Sequence, residues 1–361
     1  MQSGMILLMF SAWRIPALFF LASLALPAAA QQPWTFAVSG DSRNCGDVVM
    51  PAIASGAHRD QAAFYWHLGD FRAIYDFDQD YKQLAGANGA PLLIIDYETR
   101  AWDDFIQSQL VPFGVTPVYL GIGNHETIPP KTRPDFLIQF ADWLDAPELK
   151  QQRLKDNPKD HRLRTYYHWQ REGVDFITLD NASPDQFDND QLAWFERVLH
   201  ADAGDPTVYA IVVGMHAALP DSISKGHSMS ETPQGETSGR RVYADLLDAQ
   251  NTAHKKVYVL ASHSHFFMDG IYSTNYWRSN GGVLPGWIVG TAGAVRYTLP
   301  ANAGDATAAK TNVYGYLLGS VNPNRTIDFH FQEIEEKDIP PEVVTRFGQS
   351  LVHDCFAANR Q

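Results

Sequence analysis

Basic residues are scarce in this chain: 28 Lys and Arg stand against 41 Asp and Glu among 361 residues, a formal net charge of -13. A protein that reads a phosphate backbone wants a basic face, so this balance argues against nucleic acid as a stable partner. It leaves room for a local basic pocket that holds a small phosphorylated molecule. Internal repeats and low-complexity tracts are absent. No His-Glu-x-x-His helix and no Gly-x-Ser-x-Gly elbow occurs, which argues against a metal-dependent hydrolase of amide bonds and against a serine nucleophile. Cysteine is reduced to Cys45 and Cys355. They either form one long-range bridge or remain two separate thiols, because a bridge needs Cα atoms roughly 4.4 to 6.8 Å apart and sequence carries no such distance.

Long apolar runs are lacking as well, with one exception. Arg14 precedes an apolar stretch from Ile15 to Leu26 that ends in Ala28-Ala29-Ala30. One basic residue, a short apolar run and a small-residue terminus make an export signal over residues 1–30, cleaved before Gln31, and the run is too short for a comfortable membrane span. Removing it takes away one basic residue and no acid, so the remaining chain is more acidic still. Residues 31–361 are expected to form a single catalytic domain, periplasmic or secreted, with no membrane span after signal removal.

Short β-rich runs alternate with helical patterns over the rest of the chain, which predicts an α/β or layered α+β domain. The apolar runs are Phe36–Val38, Phe64–Leu68, Val118–Ile122, Val174–Leu179, Val208–Val213, Val257–Ala261 and Trp287–Val289. Helices are predicted at Gln191–His200, where Leu192, Phe195 and Leu199 share a face, and at Val48–Ala57, Trp102–Leu110, Phe136–Leu144 and Val242–Ala249. Tyr166–Leu179 reads as a hairpin about Glu172-Gly173, and Val313–Val321 with Thr326–Ile334 as another. Pro220–Arg240, rich in Gly, Ser, Thr and Pro, reads as a lid or substrate loop, with Asp76–Pro91 as a second insertion shaping the pocket.

Five of the apolar runs end in short polar clusters: Gly40-Asp41-Ser42-Arg43, Gly69-Asp70, Gly123-Asn124-His125-Glu126, Gly214-Met215-His216 and Ser262-His263-Ser264-His265. Chemistry in such sheets collects at the carboxyl ends of strands. Asp41, Asp70, Asn124, His216, His263 and His265 together offer two carboxylates, one amide oxygen and three imidazoles. That mixed oxygen and nitrogen set suits Fe, Mn, Zn or Co rather than calcium. Two such metals sharing a carboxylate, about 3.5 to 4 Å apart, generate hydroxide and clamp an in-line phosphoryl transfer. His67, inside a strand beside Trp66, reads as structural, and His227 has no comparable context.

The order of these motifs resembles the calcineurin-like metallophosphoesterase superfamily, and within it the purple-acid-phosphatase-like branch. The likeness runs from about Phe36 to Gly270 and includes the Asp190-Gln191-Leu192-Ala193-Trp194-Phe195 helix start. It implies a four-layer αββα sandwich and a dinuclear site. Asp70 would bridge, Asn124, His216 and His263 would complete the second metal's shell, and Asp41 and His265 would hold the first. His125 would protonate the leaving alkoxide. Glu126 would either orient the His125 ring and raise its pKa or be a surface residue without that role.

The first motif departs from the family's Asp-x-His, because Arg43 stands where the imidazole would be, and a guanidinium cannot ligate a cation. The tyrosine that purple acid phosphatases use there, three residues past the bridging Asp, is here Ala73, with Tyr75 out of register. The resemblance therefore implies a weak or exchangeable first metal. Arg43 would bind a substrate phosphate oxygen, or pair with Asp70 or Asp47. Ser262, where the family has glycine, would alter backbone freedom alone. The implied function is hydrolysis of a small-molecule or exposed phosphate mono- or diester by metal-activated hydroxide. The alternative is a catalytically weak, metal-containing binding module for a phosphorylated or cell-surface partner.

Overall fold

In the computed structural model, which describes residues 1–2, 32–86, 91–182 and 186–361, twelve strands form two sheets. The export signal expected over residues 1–30 lies, from residue 3 onward, outside the described residues, as do residues 87–90 of the Asp76–Pro91 insertion. β1 (Trp34–Ser39), β2 (Ala62–His67) and β3 (Val118–Leu120) are parallel neighbours. They share a five-stranded sheet with β11 (Tyr314–Val321) and β12 (Ile327–Ile334), the predicted C-terminal hairpin. The second sheet holds β4 (Tyr167–Arg171), β5 (Val174–Thr178), β6 (Ala210–Gly214), β7 (Lys256–Ala261), β8 (Phe267–Asp269), β9 (Gly286–Val289) and β10 (Ala308–Lys310). Its order is β10-β8-β9-β7-β6-β5-β4, with β5, β6, β7 and β9 parallel.

Period-2 alternation sorts the side chains into layers. Phe36, Val38, Phe64 and Trp66 of one sheet meet Phe176, Val212, Leu260 and Val289 of the other between the sheets. The intervening residues, Ala37 and Tyr65, face outward onto the Gly46–Arg59 helix. Ile177, Ile211, Val213 and Val259 face the helices Asn189–Gly204 and Pro233–Asn251. Both faces of each central strand are therefore covered by apolar groups, which gives the helix–sheet–sheet–helix order. Within residues 32–361 the parallel strands of the two sheets bring their carboxyl ends to one edge. Backbone bonds lock the loops there: Asp41 N–H donates to Gly69 O at 2.9 Å, Ser42 N–H to Asp70 O at 2.9 Å and Ser262 N–H to His216 O at 2.9 Å.

Several helices differ from the periodicity-based expectation. Phe136–Leu144 is two helices, Arg133–Gln139 and Ala141–Leu144, separated at Phe140 where φ is -105° and ψ 21°. The helix predicted from Trp102 begins at Ile94 and runs to Phe105, continuing as a π turn over Ile106–Leu110. Pro220–Arg240 is not a loop throughout. Thr232 accepts a hydrogen bond from Gly235 N–H as an N-cap and Pro233 takes the first helical position, so the helix runs from Pro233 to Asn251. Among the described residues no helix is long and apolar enough to cross a membrane.

Candidate metal centre

Asp41 follows β1, Asp70 follows β2, Asn124 and His125 follow β3, His216 follows β6, and His263 and His265 follow β7. Asp41, Asp70 and His263 all sit at positive φ, 61°, 61° and 65°. This conformation is costly for residues other than glycine and persists where the surroundings over-determine it. It swings each side chain off its strand axis toward one centre. The glycines beside them matter for close approach: a Cβ on Gly123 would lie 2.3 Å from Asp70 Oδ1 and 2.9 Å from the His216 ring.

One donor atom from each of Asp41, Asp70, His216 and His263 lies within 4.8 Å of the others. Asn124 Oδ1 is 2.9 Å from His216 Nε2, which is itself 3.3 Å from Asp70 Oδ1. His265 Nε2 is 3.2 Å from Asp41 Oδ1. The six residues expected from the strand-end pattern are thus gathered in one place.

Hydrogen bonds on the far side of each ring assign its tautomer. His216 Nδ1 donates to Leu68 O at 3.0 Å, and His265 Nδ1 to Val295 O at 2.6 Å. In the neutral rings Nε2 therefore carries a lone pair directed inward. With the ring neutral, the His216 lone pair faces Asn124 Oδ1 and Asp70 Oδ1, so three acceptors converge on a place that calls for a cation, be it a proton on Nε2 or a metal ion. Asp41 Oδ1 and Asp70 Oδ2 are buried with no hydrogen-bond partner, an arrangement costing about 1–3 kcal/mol or more per group unless a cation compensates. Asp41, Asp70, His216 and His263, with Asn124 beside His216, fit a metal ion on these grounds.

The local charges respond accordingly. Burial pushes the Asp70 carboxyl up, but His125, His216 and Arg43 outweigh it and hold the group well below the usual carboxylate range. Burial opposes a charged His216, and Asp70 overcomes that, lifting the ring to about 9 in the absence of any other cation. Burial keeps His263 and His265 low and neutral, the form in which imidazole is a ligand.

His125 is buried, with Nδ1 donating to Ala73 O at 2.7 Å and Nε2 3.7 Å from Asp70 Oδ2. Glu126 does not orient this ring, nor does it lie on the surface. Its carboxylate turns the other way and accepts from the backbone N–H groups of Asp70, Phe71 and Gly123, each at 2.8 Å. Burial drives the Glu126 carboxyl up to about 7, while burial drives His125 down rather than up. Glu126 is a positioning residue that clips the β2 and β3 loops together.

Arg43 is only 8% exposed. Its Nη1 donates to Tyr75 Oη at 3.3 Å and its Nη2 to Tyr297 Oη and His265 Nε2, each at 3.3 Å. Its Nε is 3.9 Å from Asp70 Oδ2. It does not pair with Asp47, which Arg72 and Gln109 engage at 2.7 and 3.0 Å. Ser262 does more than change backbone freedom: its φ is not positive, and its hydroxyl donates to Leu68 O at 3.1 Å, joining the ends of β7 and β2. His67 is buried and structural, accepting from Gly69 N–H at Nδ1 and meeting Ser42 Oγ at 3.0 Å.

Two residues at the rim escaped the sequence reading. The Tyr297 ring stacks on His265 at 3.9 Å. His227, exposed in the turn after Lys225, lies 5.1 Å from the His263 ring and 5.0 Å from the Tyr297 ring. His227 had no motif to mark it beyond its place in the Pro220–Arg240 segment. Cys45 and Cys355 are disulfide-bonded, which ties the C-terminal helix Gln349–Ala357 to the loop carrying Arg43.

No family model matches this chain, and no curated protein is similar to it. Solved structures do resemble it. A purple acid phosphatase, PPD1, isolated from yellow lupin (Lupinus luteus) seeds aligns with a TM-score of 0.52 at 14% identity, over 85% of this chain and 52% of the lupin protein. The chain thus spans about half the length of that enzyme. PhoD aligns with a TM-score of 0.51 at 13% identity, over 92% of this chain and 78% of PhoD. At such identities the likeness concerns the fold alone, and that fold is the layered helix–sheet–sheet–helix sandwich that the motif order implied.

Proposed function

We propose that this chain is an exported, metal-dependent phosphoesterase. The observation that carries the reading is the inward convergence of His216 Nε2, Asn124 Oδ1 and Asp70 Oδ1 within 3.3 Å at the carboxyl ends of parallel strands. Asp70, Asn124, His216 and His263 would hold one Mn, Fe, Zn or Co ion, and Asp41 and His265 are the residues left for the second ion that the family pattern implies. A bound divalent ion supplies charge neutralisation for a phosphoryl group and acidifies water.

The remaining roles belong to the chain. His125, held by the Ala73 carbonyl at Nδ1, presents Nε2 to the centre. Donating a proton from Nε2 to a departing alkoxide requires the imidazolium form; burial holds the ring below its ordinary value and Asp70 offsets only part of that. Arg43, Tyr75, Tyr297 and His227 surround the same space and set how a phosphate ester lies against it. Tyr75 is 62% exposed, so the centre opens to solvent on that side and suits a small-molecule or exposed ester. Export is supported by the Arg14 to Ala30 leader and by a disulfide, which persists in oxidising compartments.

The test is metal content of purified protein alongside hydrolysis of p-nitrophenyl phosphate and bis-p-nitrophenyl phosphate, with and without added Mn, Zn and Fe. Metal-dependent turnover is expected. A tightly held metal with no turnover on any ester would replace the enzyme reading with the binding module.

A further inference from the structure

The first-metal position does not fit a second ion, because a guanidinium fills it. We infer that Arg43 is a built-in replacement for the first metal, so that the centre takes one ion per chain and the guanidinium supplies the second cation that grips a phosphoryl oxygen. The phosphate half of this inference rests on the phosphoesterase reading; the metal count does not.

Three observations converge. The His265 lone pair is the imidazole donor left for a first metal, since Arg43 occupies the other imidazole's place in the motif. That lone pair accepts from Arg43 Nη2 at 3.3 Å, and Val295 O fixes the tautomer from behind. The guanidinium is also enclosed on its other sides, by the Tyr75 and Tyr297 hydroxyls at 3.3 Å and by Asp70 at 3.9 Å. A metal drawing on Asp70 and His265 would have to share this space with a permanent positive charge. Ala73, where a tyrosine ligand would be needed, has no donor side chain.

The backbone that carries Arg43 is also anchored, so the loop does not withdraw the guanidinium and only rotation of the side chain itself could admit an ion. The next residue, Asn44, donates its N–H to Asp78 Oδ1 at 2.6 Å and accepts from Val295 N–H through its side-chain oxygen at 3.2 Å. Cys45 is bonded to Cys355. With the Asp41 and Ser42 backbone bonds before it, the loop that carries Arg43 is fixed on both sides of that residue.

The guanidinium is not fully satisfied in place. Arg43 Nε is buried without a hydrogen-bond partner, and so is Asp70 Oδ2 opposite it. Their separation of 3.9 Å is too long for a hydrogen bond. An inward-facing N–H with no acceptor, next to a site fitted for a divalent ion, is suited to a non-bridging phosphoryl oxygen.

The experiment counts Mn(II) bound by the full mature protein in equilibrium dialysis and records its EPR spectrum, for the wild type, Arg43→His and Arg43→Met. One Mn(II) per chain with an uncoupled spectrum is expected for the wild type. A second equivalent with exchange coupling is expected for Arg43→His, which restores an imidazole. Two coupled ions in the wild type would overturn the inference, and so would one ion in both wild type and Arg43→His. Affinity of the Mn-loaded protein for inorganic phosphate is then measured. Arg43→Met should keep one Mn(II) and lose about ten-fold or more in phosphate affinity; unchanged affinity would remove the guanidinium from phosphate binding. Loss of turnover on every ester, with one Mn(II) still bound to the wild type, would sink the phosphoesterase reading and leave the metal count standing.

Discussion

Replacing Glu126 with Gln tests whether this carboxylate serves the backbone or the His125 ring. In the structure its two oxygens accept three backbone N–H groups at 2.8 Å: Oε2 from Asp70 and Gly123, Oε1 from Phe71. Glutamine matches the shape but carries one carbonyl oxygen. If that oxygen keeps the Asp70 and Gly123 bonds, the amide nitrogen faces Phe71 N–H, donor against donor, in a fully buried site. Above about pH 8, where the Glu126 carboxyl is ionised, losing one hydrogen bond to a charged group costs about 1.5–3 kcal/mol, and the two that remain weaken because their acceptor is no longer ionised. A total near 3 kcal/mol lowers the melting temperature by about 5 °C for a domain of this size. Thermal unfolding is measured in excess chelator, so that metal binding does not contribute. Turnover is measured in parallel on esters with good and poor leaving groups. The loss in kcat/KM should be the same for both, because the Asp70 backbone is displaced and the proton donor is not. An unchanged melting temperature with selective loss on poor leaving groups would refute the backbone role and return Glu126 to tuning His125.

His125→Ala should behave the opposite way, slowing esters with poor leaving groups by roughly 100-fold or more while p-nitrophenyl esters lose far less; equal losses would remove the acid role. Asp70→Asn should abolish stable metal binding, since it takes charge from the buried carboxylate 3.3 Å from His216 Nε2, and unchanged metal content by elemental analysis would discard that placement. Away from the site, His168 is buried between Asp175 and Asp156, at 2.7 Å from each. Burial opposes its charge, but Asp175 and then Asp156 overcome this and raise the ring to about 10. The raised value means that its stabilising contribution is fully present below about pH 6.5 and is lost as pH rises through about 10. The melting temperature of the wild type should therefore fall across that alkaline window, and His168→Gln should flatten the fall; parallel curves for the two proteins would exclude this ion pair as the cause.

The clustering was legible in the sequence because the residues gathered there stand within a few positions of apolar strands, four of the five clusters opening on a glycine, so that a one-dimensional pattern of runs and polar ends maps onto one sheet edge. Helix boundaries were less so. The Phe136–Leu144 periodicity is carried by two short helices with a break at Phe140, and periodicity does not register a break that keeps the apolar face in phase. Tyr297 was hidden for another reason. It reaches the centre from the loop after β9, and what places it there is its stacking on His265, from a segment 32 positions away, with no polar cluster to flag it.

Glu126 shows how neighbours in one sequence motif can part company in the fold. His125 and Glu126 lie in the turn Asn124–Thr127, a 3₁₀ turn. With three residues per turn, successive side chains point roughly 120° apart, so adjacent residues there cannot share a face. The ring points to Asp70 and the carboxylate to the backbone beneath it. Arg43 is the complementary case. The sequence shows a missing imidazole, which by itself predicts only a weaker metal. The added fact is three-dimensional: the replacing guanidinium lies against the lone pair of His265 and the two tyrosine hydroxyls. That turns the absence of one ligand into the presence of a fixed cation, and a fixed cation changes the number of ions the centre holds.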